Sequence, residues 1–171
     1  MLEFHEQVKE MGVKLDAVII AVGGGGLLAG CAVVCQGIGT RVFRAEPLSA
    51  DDCARGIQQG FKANLTTTAT TVADGLRTEV GELNFVLIQE HVTRIFTVTE
   101  AMEMRTIIER MKLVVEPSAA VPLAVALFNE EFRKIVERDG IKSLGIILEG
   151  GNIDIGSYEK MMPWIHLAPT K

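Results

Sequence analysis

Four consecutive glycines, Gly23, Gly24, Gly25 and Gly26, stand between two apolar stretches in the segment AVGGGGLLAG. Glycine loses about 0.5–1 kcal/mol more than alanine when a regular element fixes it, so a fixed run of glycines indicates a need for bare backbone. A glycine-rich turn that leads into a helix gathers N–H groups around one point, where the helix dipole adds partial positive charge. This segment therefore predicts a phosphate-binding loop, and a tight turn without a ligand is the alternative.

Two phosphate ligands remain open at this point. Residues 24–29 fit the pattern G-x-G-x-x-A, and Glu46 follows twenty residues after Gly26, as does the acidic ribose ligand of dinucleotide-binding folds. An NAD-binding oxidoreductase fragment is therefore one interpretation. Two features weaken it. The glycines are continuous rather than spaced, and a second glycine-bearing segment, LEGGN at residues 148–152, indicates a second contact with the same ligand.

The elements that must position these segments alternate between strand and helix. The pattern predicts strands at residues 16–22, 41–45, 94–98 and 143–148. It predicts helices at residues 3–11, 27–36, 49–59, 82–90 and 118–128, and a further helix that begins at Thr99. This order favours an α/β fold with a parallel twisted sheet flanked by helices, in a single domain over residues 1–171.

Composition excludes several classes of protein. The net charge is −5 and no run of Lys and Arg exceeds two residues, so we do not expect a nucleic-acid partner. Residues 17–40 carry no charge, but the four glycines within them argue against a membrane span. Cys31, Cys35 and Cys53 lack metal-binding or disulfide spacing and are expected to be buried thiols. With no signal-peptide pattern, we expect a cytoplasmic protein.

Six stretches, in order, carry a family resemblance: AVGGGGLLAG, AEPLSADD, VADG, IFTVTE, ERMKLVVEPSAA and ILEGGNID. Together they resemble the fold-type II pyridoxal-phosphate (PLP) enzymes, and within them the group of serine racemases and serine/threonine dehydratases. The resemblance implies the large-domain part of a fold like that of the tryptophan synthase β subunit. It also implies an ammonia-lyase or racemase that acts on a small amino acid, serine or threonine.

The resemblance assigns the cofactor phosphate to the four glycines and the amide of Leu27. It implies that Asp74 and Gly75 lie near the mouth of the active site and that Glu116 faces the cofactor pocket. Glu149 stands where the family usually has a serine beside the pyridine nitrogen of the cofactor. A carboxylate there would favour protonation of that nitrogen, because opposite charge stabilises the cation.

The resemblance also implies a divalent cation, Mg²⁺ or Ca²⁺, bound by Glu46, the carbonyl of Ala50 and Asp52. Hard cations prefer such oxygen ligands. Without the resemblance, Glu46 would be interpreted as a solvated loop carboxylate and Asp52 as a charge at a helix start. The same resemblance implies that ATP could bind between subunits.

The family holds PLP as a Schiff base on a lysine in a Ser-x-Lys context, and none of the eight lysines here has that context. We therefore expect a C-terminal fragment that lacks the Schiff-base lysine and is inactive alone. Such a chain would form a homo-oligomer or pair with a full-length subunit. A catalytically inactive interaction module is the non-enzyme alternative.

Overall fold

The computed structural model describes residues 1–65, 70–99, 104–154 and 156–160. Its strands are β1 (Ala17–Ala21), β2 (Arg41–Pro47), β3 (Arg94–Val98) and β4 (Leu144–Ile146). Its helices are α1 (Leu2–Glu10), α2 (Gly26–Ile38), α3 (Asp52–Gln59), α4 (Glu82–His91), α5 (Met104–Thr106), α6 (Pro117–Phe128) and α7 (Glu130–Arg138). The strands pair in parallel in the order β3-β2-β1-β4. The predicted α/β class with a parallel sheet flanked by helices is confirmed.

Strand β1 lies inside the sheet and is buried along its whole length, because helices cover both faces. Ile19 faces the side of the sheet that packs against α6 and α7, where Phe132 is buried. Ile20 faces the opposite side and shares a core with Leu28 of α2 and Ile88 of α4. The uninterrupted apolar run in the sequence follows from this burial on both faces.

Helix α7 is tied to the sheet by three aromatic rings, and the sequence interpretation had not predicted this helix. Phe132 makes edge-on contacts with Phe43 and Phe96, with 5.3 Å between ring centres in each pair. Asn129 begins the helix by accepting a hydrogen bond from the amide of Phe132 at 2.9 Å. The cap and the aromatic contacts together fix the position of α7.

Two predicted boundaries are wrong near the end of β2. The strand continues through Glu46 and Pro47, since the neighbouring β3 pairs with both residues. Helix α3 begins at Asp52 rather than at Ser49, which does not cap it. The helix predicted from Thr99 falls partly on residues 100–103, outside the described residues. From Met104 the chain forms α5 and then a single π-helical stretch, Ile107–Met111.

The three cysteines are free and buried, as predicted. Within the described ranges, no helix has the length and apolar character needed to cross a bilayer. The cytoplasmic location stays a prediction.

Because the strands are parallel, the loops after β1, β2 and β4 all leave the same edge of the sheet. The glycine run follows β1 and the LEGGN segment follows β4, and the candidate site lies at this edge.

Candidate functional site

The glycine loop joins β1 to α2, and two of its glycines cannot be replaced without strain. Gly25 has a left-handed backbone with φ of +84°, and a Cβ there would lie 3.0–3.1 Å from the side chains of Ile88, Asn84 and Val80. A Cβ on Gly23 would lie 2.8 Å from the backbone oxygen of Gly75. The loop therefore needs bare backbone because neighbouring segments pack closely against it.

The start of α2, next to the glycine loop, has amides that lack an acceptor within the helix. The helical hydrogen-bond ladder begins where Ala29 donates to the carbonyl of Gly25 at 2.9 Å. The amides of Gly26, Leu27 and Leu28 precede it and have no acceptor within the helix. These donors and the positive end of the helix dipole suit an anion. The helix is thirteen residues long, long enough to contribute a dipole.

The loop is held against the segment that begins α4. The carbonyl of Gly24 accepts two hydrogen bonds, from the amide of Gly81 at 3.2 Å and from Nδ2 of Asn84 at 2.7 Å. Val80, next in the chain to Gly81, touches the position of Gly25. This segment therefore fixes the loop in place before any ligand binds.

A cavity of about 250 Å³ opens above the loop. Its lining brings together all of the predicted cofactor residues with several others: Ala21, Gly23, Gly24, Gly25, Gly26, Leu27, Leu28, Gly75, Leu76, Glu116, Ser118, Glu149 and Gly150. The glycine loop forms one side of the cavity, and two carboxyl groups contribute to the rest. The cavity thus combines a site that suits an anion with two acidic residues.

The two carboxyl groups, Glu116 and Glu149, come from segments that meet after the fold forms. Burial raises the pKa of Glu149 to about 7, and the nearby charge of Glu116 adds to this rise. The amide of Glu116 donates to the carbonyl of Gly150 at 3.1 Å. Gly150 has φ of +88°, and a Cβ there would lie 1.9 Å from Oε1 of Glu116. The LEGGN segment therefore needs glycine where the Glu116 side chain packs on it.

Of the two residues predicted near the mouth of the site, Asp74 and Gly75, Asp74 does not line the cavity. Its side chain is exposed and turns back to accept a hydrogen bond from the amide of Gly75 at 3.0 Å. Gly75 does line the cavity, and its amide also donates to Oγ of Ser118 at 3.1 Å. Ser118 is 2 % exposed and was missed by the sequence interpretation. The sequence did indicate a role for Ser118, because this polar residue follows Glu116-Pro117 directly and lies at the start of an otherwise apolar helix.

The residues expected to bind a divalent cation lie apart from the cavity, around the start of α3. Glu46, Ala50 and Asp52 are all buried. Oε1 of Glu46 accepts from the amide of Cys53 at 3.2 Å, and Oε2 accepts from the amide of Ala54 at 2.9 Å. The carboxylate thus satisfies the first turn of α3, which explains why Ser49 is not needed as a cap.

Glu46 also pairs with a buried cation of this chain. Nη2 of Arg44 lies 3.0 Å from Oε2 of Glu46, and the side chains are 0 % and 1 % exposed. Asp52 accepts from the amide of Val80 at 3.0 Å. Among the described residues, no three His, Cys, Asp or Glu side chains are grouped so that they could hold a metal ion. Because both carboxylates already accept hydrogen bonds from backbone amides and Glu46 is paired with Arg44, these residues do not fit a divalent cation.

The same ion pair bears on the dinucleotide interpretation. A ribose ligand must present a free carboxylate to the cavity, whereas Glu46 is buried, fully bonded and outside the cavity lining. Glu46 therefore has the sequence spacing of a ribose ligand, but its carboxylate binds the first amides of α3 instead.

Comparisons with known proteins agree with this geometry. Residues 1–145 match the family described as pyridoxal-phosphate dependent enzyme. The chain is 41 % identical over 167 residues to serine racemase of Dictyostelium discoideum, covering 94 % of this chain and 49 % of that protein. It is 37 % identical over 171 residues to L-threo-3-hydroxyaspartate ammonia-lyase of Saccharomyces cerevisiae, covering 96 % of this chain and 50 % of the relative.

The fold has a close counterpart among solved structures. Maize serine racemase superposes with a TM-score of 0.83 at 35 % identity, over 95 % of this chain and 49 % of that one. The chain therefore spans about half the length of the relatives it matches. The dinucleotide-binding and interaction-module alternatives find no support in these comparisons.

Proposed function

The chain belongs to the pyridoxal-phosphate-dependent enzymes of fold type II, and from this premise we propose that it is the phosphate-binding part of an enzyme that dehydrates or racemises a small hydroxy amino acid. Serine and threonine are the proposed substrates, because the relatives include a serine racemase and an ammonia-lyase for a hydroxy amino acid. The observation that carries the proposal is the cavity that joins the glycine loop to Glu116 and Glu149.

The residues present fit the phosphate of the cofactor. The glycine loop leaves space that side chains would otherwise fill. The amides at the start of α2 can bind an anion there without a basic residue. We assign the phosphate to Gly23, Gly24, Gly25, Gly26 and the amide of Leu27. When bound, the cofactor supplies an electron sink that stabilises negative charge at the α-carbon of the substrate.

Glu149 is proposed to hold a proton beside the ring nitrogen of the cofactor. This residue lines the cavity, and its raised pKa of about 7 lets it exchange a proton near neutral pH. Glu116, also in the lining, keeps that proton on Glu149 by charge repulsion. Ser118 bonds the amide of Gly75 and so fixes the wall of the cavity between the loop and the two carboxyl groups.

The cavity lining among the described residues contains no lysine. We propose that the lysine that this family uses comes from another segment, and that these 171 residues alone do not catalyse the reaction. Pairing with a second copy or with a full-length subunit would supply it. ATP binding stays a prediction that the described residues do not test.

A pair of aspartate substitutions tests the phosphate assignment. Gly24 and Gly30 are both exposed, and a Cβ on either would meet nothing closer than 3.8 Å. Gly24→Asp adds negative charge to the proposed phosphate site, whereas Gly30→Asp adds the same charge one turn further along α2. We expect 4′-deoxypyridoxine 5′-phosphate, which has no aldehyde to react with lysines, to raise the melting temperature of wild type and of Gly30→Asp but not of Gly24→Asp.

Two further ligands complete this experiment. Deoxypyridoxine without its phosphate, and NAD, should each leave the melting temperature of wild type unchanged. Equal stabilisation by NAD, or equal response of the two aspartate variants, would contradict the assignment. Activity on serine or threonine is then tested separately, by adding a lysine-bearing partner segment and measuring the release of ammonia.

A further inference from the structure

Arg44 is an unusual residue for its position. It lies in a strand with neighbours on both sides and is 0 % exposed, so its charge is removed from water. A buried unpaired charge costs several kcal/mol, and it persists only where acceptors surround it. Arg44 meets two acceptors, Oε2 of Glu46 through Nη2 and the sulfur of Cys53 through Nη1. Only its Nε lacks a partner among the described residues.

The negative charges around Arg44 need a cation. Glu46 and Asp52 are both buried, and burial raises the pKa of each carboxyl group. The charge of Asp52 raises the pKa of Glu46 further, whereas the charge of Arg44 lowers the pKa of both. In a protein without Arg44, two buried carboxylates and the carbonyl of Ala50 would form the kind of oxygen set that a hard divalent cation neutralises. Here the guanidinium already occupies the contact with Glu46.

This charged cluster is connected to the phosphate loop. Glu46 holds the first amides of α3, and Asp52, the first residue of α3, accepts from the amide of Val80. Val80 touches Gly25, and the adjacent Gly81 donates to Gly24. Whatever cation balances Glu46 and Asp52 therefore also helps to hold the glycine loop in place.

We propose that the guanidinium of Arg44 replaces a divalent cation at the end of β2, so that this chain keeps α3 and the glycine loop in position without metal. The residue is a positioning residue, since it acts on the loop through Glu46, Asp52 and Val80. The proposal concerns the folded chain itself and does not depend on which reaction the complete enzyme performs.

The test is the response of melting temperature to divalent cations, measured in EDTA and in Mg²⁺, Ca²⁺ or Mn²⁺. Wild type should melt at the same temperature in all conditions. Arg44→Ala should melt lower in EDTA and recover by about 5–10 °C when the cation reaches a hundredfold excess over its dissociation constant. Arg44→Lys keeps a charge and should stay insensitive to the cation. The matched control is Arg41→Ala. Arg41 lies on the same strand as Arg44, and its substitution breaks a partly exposed ion pair with Asp139. The melting temperature of this variant should not rise when a divalent cation is added.

Two results would overturn the proposal. One is an Arg44→Ala variant that folds but shows no recovery with any of the three cations. The other is wild type that binds Mn²⁺, measured by electron paramagnetic resonance, with binding lost in Asp52→Asn. If Arg44→Ala does not fold in any condition, the Mn²⁺ measurement on wild type decides, and absence of that binding supports the proposal.

Discussion

Gly25→Ala measures how strongly the glycine loop depends on bare backbone. Alanine in the left-handed region costs about 1–2 kcal/mol. The added Cβ would lie 3.0–3.1 Å from three side chains, those of Ile88, Asn84 and Val80, and such overpacking costs about 1–3 kcal/mol. Alanine also restricts the unfolded chain, which returns about 0.4–1 kcal/mol. The net loss in free energy of unfolding is therefore about 1–5 kcal/mol.

For a chain of this length, that loss lowers the melting temperature by about 2–20 °C. Gly26→Ala is the control, because Gly26 begins α2 without a positive φ and a Cβ there meets only Nδ2 of Asn84, at 4.0 Å. We expect Gly26→Ala to be neutral or to gain up to about 1 kcal/mol. Thermal unfolding followed by circular dichroism compares the two variants. If Gly25→Ala is as stable as Gly26→Ala, the loop is not strained as described.

Three further predictions follow. The pKa of Glu149 is raised to about 7 from 4.5, so the folded state holds a proton that the unfolded state has released. The free energy of unfolding of wild type should therefore fall by about 1–2 kcal/mol, after solvent screening, as pH rises from about 4.5 to 7. In urea titrations, Glu149→Gln should remove this dependence of stability on pH, and an unchanged dependence would contradict the burial of Glu149. Asn84→Ala should cost about 1 kcal/mol in urea titrations and weaken binding of 4′-deoxypyridoxine 5′-phosphate, whereas Leu83→Ala, on the exposed side of α4, should do neither. The isolated chain should form oligomers in sedimentation, because Val86 and Val114 are among its exposed apolar side chains; a monomer at all concentrations would refute this.

The sequence was sufficient to predict the sheet and the loop that it positions. The buried run of β1 is continuous because both faces are covered, and the glycines after it interrupt that run at a clear boundary. Helix α7, which the predicted elements do not include, has an equally clear pattern in the sequence. Asn129 precedes two glutamates, and Phe132 and Ile135 recur at helical spacing, which together predict a capped amphipathic helix.

The site was harder to predict where it depends on residues that are distant in the chain. Glu116 and Glu149 interact only because the segments after β4 and before α6 meet, so the raised pKa of Glu149 has no sequence signal. Arg44 did have one. Alternate residues of a strand share a face, so Arg44 and Glu46 had to lie side by side in a buried strand. The predicted metal site was based on the oxygen ligands alone and did not include the guanidinium of Arg44, which pairs with Glu46.

The most direct test of the phosphate loop is a titration followed by amide ¹⁵N–¹H nuclear magnetic resonance. The ligands are inorganic phosphate and 4′-deoxypyridoxine 5′-phosphate, added separately to the chain. The account predicts that both ligands shift the amides of residues 23–27 most strongly, and that the phosphorylated pyridine alone also shifts the amides of Glu149 and Gly150. Shifts centred elsewhere, or none in the glycine loop, would contradict the claim that this loop binds phosphate.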